Sequence, residues 1–234
     1  MEEFDPLQVL VLNRDKDGNL NGIPAAYPPT IKPKSYRGEF RRRFCEGLLS
    51  RRVLITEGRT EYDSFPACAK KLSEISPNNF KTLDALGITI IDAETETQVA
   101  AIGKFYKNLG KEVFAVFDKQ SAENLAEIEI NIHRAFEAQE KGFEKILLSG
   151  ISIDVLKKYA KSLEDNGEWP THITPKPSVC SSGDEYKDIM LKFLRSNKGS
   201  GVAAELLSSC NTKEDMPEYI VKTIESITRL IELV

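Results

Sequence analysis

The chain has 234 residues, of which 41% are hydrophobic and 29% charged, and its 36 acidic and 32 basic side chains give a formal net charge of −4. This composition is typical of a folded globular protein and excludes wholesale disorder. No apolar run approaches the roughly 18 residues that span a bilayer, and the acidic start of the chain is unlike a signal peptide. We therefore expect a cytoplasmic protein with no membrane partner.

The cysteines and histidines are few and scattered. There are four cysteines without a Cys-x-x-Cys pair, and two histidines. This pattern argues against a structural zinc site. It also gives little support to a serine or cysteine triad, because each nucleophile needs a base close to it. Carboxylates, lysines and arginines remain as the abundant reactive groups, and they suit either magnesium-dependent phosphate chemistry or a solvated surface.

The first part of the chain combines a connector with a basic segment. Residues 1–36 are rich in turn-forming residues, which predicts a connector with short strands near residues 9–12. From Tyr36 onward, Phe and Leu residues recur at helical spacing among arginines, which predicts a basic amphipathic helix. The window 32–52 holds eight basic residues, a stripe that suits either DNA phosphates or the acids of a neighbouring domain.

Next comes a segment in which short apolar strands alternate with helices. Strands are predicted at residues 52–56, 87–91 and 112–117, with helices over 60–75 and 95–109. Such alternation indicates an α/β fold with a parallel sheet covered by helices on both faces. After Asp118 the pattern is almost wholly helical, with predicted helices over residues 122–138, 143–148, 153–163, 186–195, 202–209 and 217–233.

Carboxylates follow two of the predicted strands. Glu57 comes directly after the first strand and Asp118 ends the third, while Glu61 lies one helical turn beyond Glu57. Ligands of open parallel sheets bind at the carboxyl ends of the strands, so we expect the three carboxylates to converge there and to bind Mg²⁺ or Mn²⁺. The alternative is that acids near a helix start complement the helix dipole.

These motifs, taken in order, resemble a known family. A strand followed by Glu57-Gly58-Arg59-Thr60-Glu61, and a later strand ending in Asp118, resemble the Toprim fold of topoisomerases, primases and several nucleases. The chain is more similar to the OLD (overcoming lysogenization defect) family from about residue 37 to 210. The segments that carry this similarity are Arg41–Leu48, Arg52–Glu61, Phe117-Asp118, Gly142-Phe143-Glu144 and Asn197–Ala203.

The resemblance implies a function and a domain order. OLD proteins are ATP-dependent DNA endonucleases in which an N-terminal ABC-type ATPase controls a C-terminal Toprim nuclease. This chain has no Gly-x-x-x-x-Gly-Lys-Ser/Thr phosphate loop. We therefore expect the nuclease part alone, a metal-dependent enzyme that nicks and cuts DNA in phage defence or DNA repair. Its implied partners are DNA, an upstream ATPase domain and a second copy of the chain in a homodimer.

The resemblance also implies domains and site residues. Residues 1–36 would be a remnant of the upstream region, 37–150 a Toprim core with a helical insertion beginning near 120, and 151–234 a helical region. The implied metal ligands are Glu57, Glu61, Asp118 and Glu144, holding two Mg²⁺ or Mn²⁺ ions; Lys198 and Glu57 are the implied catalytic residues. The alternative is that neither residue has a role in the site, in which case Lys198 is a surface lysine and Glu144 a solvated acid.

One position departs from the family pattern. Where the family has Asp-x-Asp, this chain has Asp118-Lys119-Gln120. Gln120 still offers a neutral oxygen to a metal ion, but it removes a charge, and Lys119 adds a positive one. A second hypothesis is therefore a catalytically silent module that binds DNA or a partner domain. Another Toprim activity is less favoured, because a topoisomerase needs a tyrosine nucleophile on a separate domain.

Overall fold

The computed structural model describes residues 9–14, 17–25 and 45–232, and it divides into two units. The sheet unit comprises Met1–Gly58 and Gly87–Glu137, and the helical unit comprises Arg59–Leu86 and Ala138–Val234. Most of the predicted basic helix lies outside the described residues. Its last part is a short helix, α1 (Cys45–Leu49).

The sheet unit begins with a hairpin of β1 (Leu10–Arg14) and β2 (Leu20–Pro24), which pair antiparallel. Within the described residues, its main sheet has four parallel strands in the order β4-β3-β5-β6. These strands are β3 (Arg52–Thr56), β4 (Ile88–Asp92), β5 (Glu112–Phe117) and β6 (Arg134–Glu137). All five residues of β3 are buried, which agrees with the continuous apolar run predicted for a central strand.

The register aligns the carboxyl ends of the strands. Thr56, the last residue of β3, is opposite Asp92 on one side and Val116 on the other. Phe117 of β5 is opposite Glu137 of β6. The residues that end or follow the strands therefore lie along one edge of the sheet, which we call the carboxyl edge.

Two helices of the same unit cover one face of the sheet. They are α3 (Glu96–Asn108) and α4 (Ala122–Asn131). The apolar cluster on this face contains Val53, Ile55, Val113, Ala115 and Phe117 from the strands, with Val99, Ile102, Tyr106 and Ile128 from the helices. Its large, fully buried side chains hold the strands in register, because a slip of one residue would turn them to the opposite face of the sheet.

The predicted helix over 122–138 is wrong in its second half. Helix α4 ends at Asn131, Ile132 is extended, and β6 follows. The His133 N–H donates to the Val113 carbonyl, and the Val113 N–H donates to His133 Nδ1 at 3.0 Å. These long-range bonds align the segment with β5. A four-residue edge strand without alternating hydrophobicity has no sequence signal of its own, so pairing with β5 overrides the local helical pattern.

The helical unit matches the predicted helices closely. Its helices are α2 (Arg59–Ile75), α5 (Phe143–Gly150), α6 (Ile153–Asp165), α7 (Gly183–Ser196), α8 (Val202–Ser208) and α9 (Glu218–Glu232). Phe65, Phe143 and Tyr219 bring together α2, α5 and α9, with ring centroids 6.2–6.4 Å apart. The start of α5 is thereby held against α2.

No helix of the described residues combines the length and the apolar character that crossing a membrane requires. The α/β fold with a parallel sheet and an additional helical region is confirmed. The predicted boundaries at residues 36 and 150 stay a prediction.

Candidate functional site

Glu57 and Asp118 meet at the carboxyl edge of the sheet unit. Glu57 directly follows β3 and Asp118 directly follows β5, which is adjacent to β3. The Asp118 N–H donates to Glu57 Oε2 at 3.1 Å. Both residues are half-buried. The parallel strand order therefore brings together two acids that are 61 positions apart in the sequence.

Gln120 completes this arrangement. Its side-chain Nε2 donates to Glu57 Oε2 at 3.0 Å and to the Asp118 carbonyl oxygen at 3.0 Å. Its side chain is buried, with the residue 8% exposed. Glu57 Oε2 thus accepts two hydrogen bonds from the segment that follows β5. These bonds fix the position of one oxygen of the Glu57 carboxylate.

Glu137, at the end of β6, holds the same segment from the other side. Glu137 Oε1 accepts a hydrogen bond from the Gln120 N–H, and its Oε2 lies 2.9 Å from Lys119 Nζ. Burial raises the pKa of Glu137, but the bonds from Gln120 and Lys119 outweigh it and hold the pKa below its usual value. Lys119 therefore pairs with Glu137. The sequence reasoning missed Glu137, because it assigned residues 134–137 to a helix.

Asp92, the last residue of β4, is a further acid at the carboxyl edge. It is 4% exposed, and its Oδ1 accepts a hydrogen bond from the Glu94 N–H at 2.8 Å. Glu94 has a φ of 66°, a left-handed conformation that costs a non-glycine residue energy. The signal that would have found Asp92 is its place directly after the apolar run of β4.

In the helical unit, Glu144 lies in the first turn of α5. It is 5% exposed, and its Oε1 accepts a hydrogen bond from Thr60 Oγ1 at 2.8 Å. Lys198 Nζ lies 2.8 Å from the same oxygen. Burial raises the pKa of the Glu144 carboxyl, but the bonds from Lys198 and Thr60 outweigh it and keep the pKa below its usual value. Glu144 is therefore held as a buried carboxylate.

Lys198 is presented by the loop between α7 and α8. Asn197 directly follows α7, and its carbonyl oxygen accepts hydrogen bonds from the Ser200 N–H and hydroxyl. Gly199 and Gly201 have φ values of 74° and 83°, which are accessible to glycine at little cost. The Lys198 side chain is 54% exposed while its Nζ pairs with Glu144. A tight, glycine-dependent loop therefore fixes where this ammonium lies.

Glu61 lies in the first turn of α2 and is buried. Across residues 9–14, 17–25 and 45–232, no three His, Cys, Asp or Glu side chains form a group able to hold one metal ion. The convergence of Glu57, Glu61 and Asp118 on one ion stays a prediction. The structure brings together Glu57 with Asp118, and Glu144 with Lys198.

The residues after β3 and β5 nevertheless suit a divalent cation. Glu57 and Asp118 provide carboxylate oxygens, and Gln120 provides its side-chain carbonyl oxygen. That oxygen, Gln120 Oε1, is buried and accepts no hydrogen bond from any described residue. A buried acceptor without a donor is costly, and a cation would satisfy it. Mg²⁺ is typically held by one or two carboxylates while it keeps several waters, so Glu57 and Asp118 fit such an ion.

Part of the chain matches a known family. The family model described as "Overcoming lysogenization defect protein-like, TOPRIM domain" matches residues 48–119. The matched segment runs from α1 through β5 and ends just beyond Asp118, so it contains Glu57 and Glu61. The family resemblance predicted from the motifs is confirmed for this segment. Comparison with curated protein sequences gives no match.

Solved structures share the fold over most of the chain. The C-terminal region of the Xanthomonas campestris pv. campestris OLD protein is similar with a TM-score of 0.55 and 18% identity, covering 80% of this chain and 97% of that one. The C-terminal region of the Burkholderia pseudomallei OLD protein gives a TM-score of 0.52 and 18% identity, with coverages of 78% and 98%. At this identity the likeness concerns the fold alone.

Proposed function

We propose that this chain, in which residues 48–119 form an OLD-like Toprim domain, is the nuclease module of an ATP-dependent DNA endonuclease. The family match carries the proposal, because the matched segment contains the acids Glu57, Glu61 and Asp118. The reaction is hydrolysis of a DNA phosphodiester bond. The structural relatives are C-terminal regions of OLD proteins, which supports an upstream ATPase domain as partner. A homodimer, a cytoplasmic location and a role in phage defence belong to the same proposal.

In this proposal, Glu57, Glu61 and Asp118 bind Mg²⁺ or Mn²⁺. A divalent ion supplies Lewis-acid stabilisation of the phosphate and lowers the pKa of a bound water. The protein's contribution is to hold the oxygens in place before DNA arrives. The hydrogen bonds from Asp118 and Gln120 to Glu57 Oε2 support this role, because a ligand held in one orientation loses little entropy on binding.

Lys198 is assigned to the phosphate group of the substrate. Its ammonium would donate hydrogen bonds to a non-bridging phosphate oxygen, on which negative charge builds up in the transition state. Glu144 supports this role by holding Lys198 Nζ at 2.8 Å. Its predicted role as a further metal ligand stays a prediction. The contact with Lys198 favours Glu144 as a positioning residue.

DNA is the proposed substrate, and the basic stripe of residues 32–52 is the proposed contact with its phosphates. Phosphate contacts give affinity without sequence preference, and that affinity falls steeply as salt concentration rises. Most of the stripe lies outside the described residues, so the assignment depends on the sequence.

The hydrogen bond from Gln120 to Glu57 favours a second candidate function. An amide that bonds to a metal-ligating carboxylate is compatible with a catalytically silent module that binds DNA or a partner domain. The two candidates differ in metal dependence. A working site gains stability when Mg²⁺ or Mn²⁺ binds, so its melting temperature rises with ion concentration; a silent module shows no such rise.

The nuclease proposal is tested by cleavage of supercoiled plasmid with Mg²⁺, Mn²⁺ or EDTA. The variants are Glu57→Gln, which keeps the size of the side chain, and Lys198→Ala. Lys145→Ala is a matched control, because Lys145 is an exposed lysine of the same helical unit. We expect metal-dependent nicking by the wild type and by the control, and a loss of about 100-fold or more in both site variants.

Two results would contradict the proposal. One is the absence of metal-dependent nicking by folded protein under every ion. The other is undiminished nicking by Glu57→Gln, since the proposed metal site cannot function without that carboxylate.

A further inference from the structure

Glu137 ends β6, the strand beside β5, and its carboxylate contacts the residues that follow β5. Its Oε1 accepts a hydrogen bond from the Gln120 N–H at 2.9 Å, and its Oε2 lies 2.9 Å from Lys119 Nζ. The Glu137 side chain is 18% exposed. Both of its oxygens are therefore used on the three residues Asp118-Lys119-Gln120, which we call the exit segment.

The exit segment contacts Glu57 on its other side. The Asp118 N–H donates to Glu57 Oε2 at 3.1 Å, and Gln120 Nε2 donates to the same oxygen at 3.0 Å. Gln120 Nε2 also donates to the Asp118 carbonyl oxygen at 3.0 Å, which joins the two ends of the segment. The position of the Glu57 carboxylate relative to Asp118 therefore depends on where the exit segment lies.

The segment lies beyond the regular hydrogen bonding of the sheet. Strand β5 ends at Phe117, which is opposite Glu137 in the last register pair of β5 and β6. Helix α4 begins only at Ala122. Between them, the backbone N–H groups of Asp118 and Gln120 donate to carboxylates, one from each neighbouring strand end. Side chains therefore replace the ladder as the groups that hold this backbone.

The two contacts of Glu137 differ in what they hold. Lys119 has a long side chain that is 54% exposed, so its ion pair constrains the backbone little. The Gln120 N–H belongs to the backbone itself, and a hydrogen bond from a backbone N–H to a charged carboxylate is among the stronger ones in proteins. The bond to Glu137 Oε1 is therefore the contact that fixes the exit segment.

We propose that Glu137 is a positioning residue of the candidate site. Through the Gln120 backbone it holds the exit segment against Glu57, and it thereby sets the geometry in which Glu57 and Asp118 meet a divalent cation. The inference rests on the proposed function, which assigns these two acids to the cation, and it adds a residue from β6. Removing a group that orients metal ligands typically lowers metal affinity by about 10–100-fold.

The first measurement needs no metal. Hydrogen exchange of the Asp118 amide, followed by NMR, reports its bond to Glu57 Oε2. Glu137→Ala removes the acceptor of the Gln120 N–H, whereas Glu137→Gln keeps an oxygen there and loses only the charge. Glu129→Ala is the matched control, an exposed glutamate of the same unit. We expect exchange of the Asp118 amide to be about 10-fold faster in Glu137→Ala and close to wild type in the other two.

The second measurement is the affinity for Mn²⁺, from the free-ion signal in electron paramagnetic resonance. We expect binding to be about 10-fold weaker in Glu137→Ala and nearly unchanged in Glu137→Gln and Glu129→Ala. Rescue by the glutamine distinguishes a positioning residue from a metal ligand, because a ligand would lose its charge in that variant. Equal weakening in Glu137→Gln and Glu137→Ala would therefore overturn the inference.

Three further results would overturn it. They are unchanged exchange of the Asp118 amide in folded Glu137→Ala, unchanged Mn²⁺ affinity in that variant, and equal acceleration at the amides of β3, which would show a general loss of stability. If Glu137→Ala does not fold, Glu137→Asp replaces it, because the shorter side chain moves the carboxylate away from the Gln120 N–H. A wild type that binds no Mn²⁺ would contradict the proposed metal site, while the exchange rates would still decide whether Glu137 positions the exit segment.

Discussion

Lys198 Nζ lies 2.8 Å from Glu144 Oε1, and Thr60 Oγ1 donates to that same oxygen at 2.8 Å. The two donors differ in their surroundings, since the Lys198 side chain is 54% exposed whereas Thr60 is buried. An exposed ammonium contributes little to stability but is accessible to a substrate. A buried hydroxyl contributes to stability but is not accessible to a substrate. We therefore expect the bond from Lys198 to matter mainly for activity and the bond from Thr60 mainly for stability.

Replacing Lys198 should affect activity much more than stability. We expect Lys198→Met to reduce metal-dependent plasmid nicking by about 100-fold, because the transition state loses a donor to the phosphate. We expect the free energy of unfolding to fall by about 1 kcal/mol or less, because the Lys198 side chain is 54% exposed and Glu144 keeps its hydrogen bond from Thr60. Plasmid nicking and urea unfolding measure the two effects, with Lys145→Met as the control. A large loss of stability would assign Lys198 a structural role.

Replacing Thr60 should have the opposite effect. Thr60→Val removes the buried hydroxyl but keeps the shape of the side chain, so Glu144 Oε1 loses a donor at 2.8 Å. We expect the free energy of unfolding to fall by about 1–3 kcal/mol. Thr60→Ser keeps the donor and should lose less than Thr60→Val. Urea denaturation compares them, and equal stability of the Val variant and the wild type would rule out a structural role for the bond.

His133 should make the protein less stable in mild acid. Burial lowers its pKa below the usual 6.5, nearby Lys107 lowers it further, and Glu112 opposes them. The unfolded chain therefore takes up a proton near pH 6.5, whereas the folded protein does so at lower pH. The stabilisation from this group is complete above pH 6.5 and is lost as the pH falls towards the folded pKa.

The measurement is urea unfolding at about pH 7.5 and about pH 5.5, on either side of the usual histidine pKa. His133→Asn keeps an acceptor for the Val113 N–H but does not titrate, so it should lose less stability between the two pH values than the wild type. An equal loss in His133→Asn and the wild type would show that His133 does not titrate differently on folding.

The cysteines should differ sharply in reactivity. Burial raises the pKa of Cys68 far above its usual range and that of Cys210 to about 12, and both side chains are inaccessible. Cys180 is partly exposed. Since the thiolate is the nucleophile, we expect iodoacetamide to label Cys180 in the folded protein, and Cys68 and Cys210 only after unfolding. Mass spectrometry of the labelled peptides measures this, and rapid labelling of folded Cys68 would contradict it.

The fold could be predicted from the sequence wherever the hydrophobic residues of an element recur at the spacing of a helix or form a continuous buried strand. The buried strand at residues 52–56 and the amphipathic helix α9 both appear at their expected places, because hydrophobic spacing reflects which face is buried. The edge strand β6 could not be predicted in this way. Its four residues have no alternating pattern, and their pairing with β5 is a long-range interaction.

The candidate site shows the same division. The sequence identifies Glu57, Asp118 and Lys198 as candidates, because each follows a recognisable strand or precedes a glycine turn. It does not identify the side chains that these residues contact. Contacts such as Gln120 with Glu57, and Thr60 with Glu144, join residues 63 and 84 positions apart. Local spacing carries no information about contacts between residues so far apart in the sequence. The tertiary fold alone therefore decides which carboxylate accepts a hydrogen bond from an amide and which pairs with an ammonium.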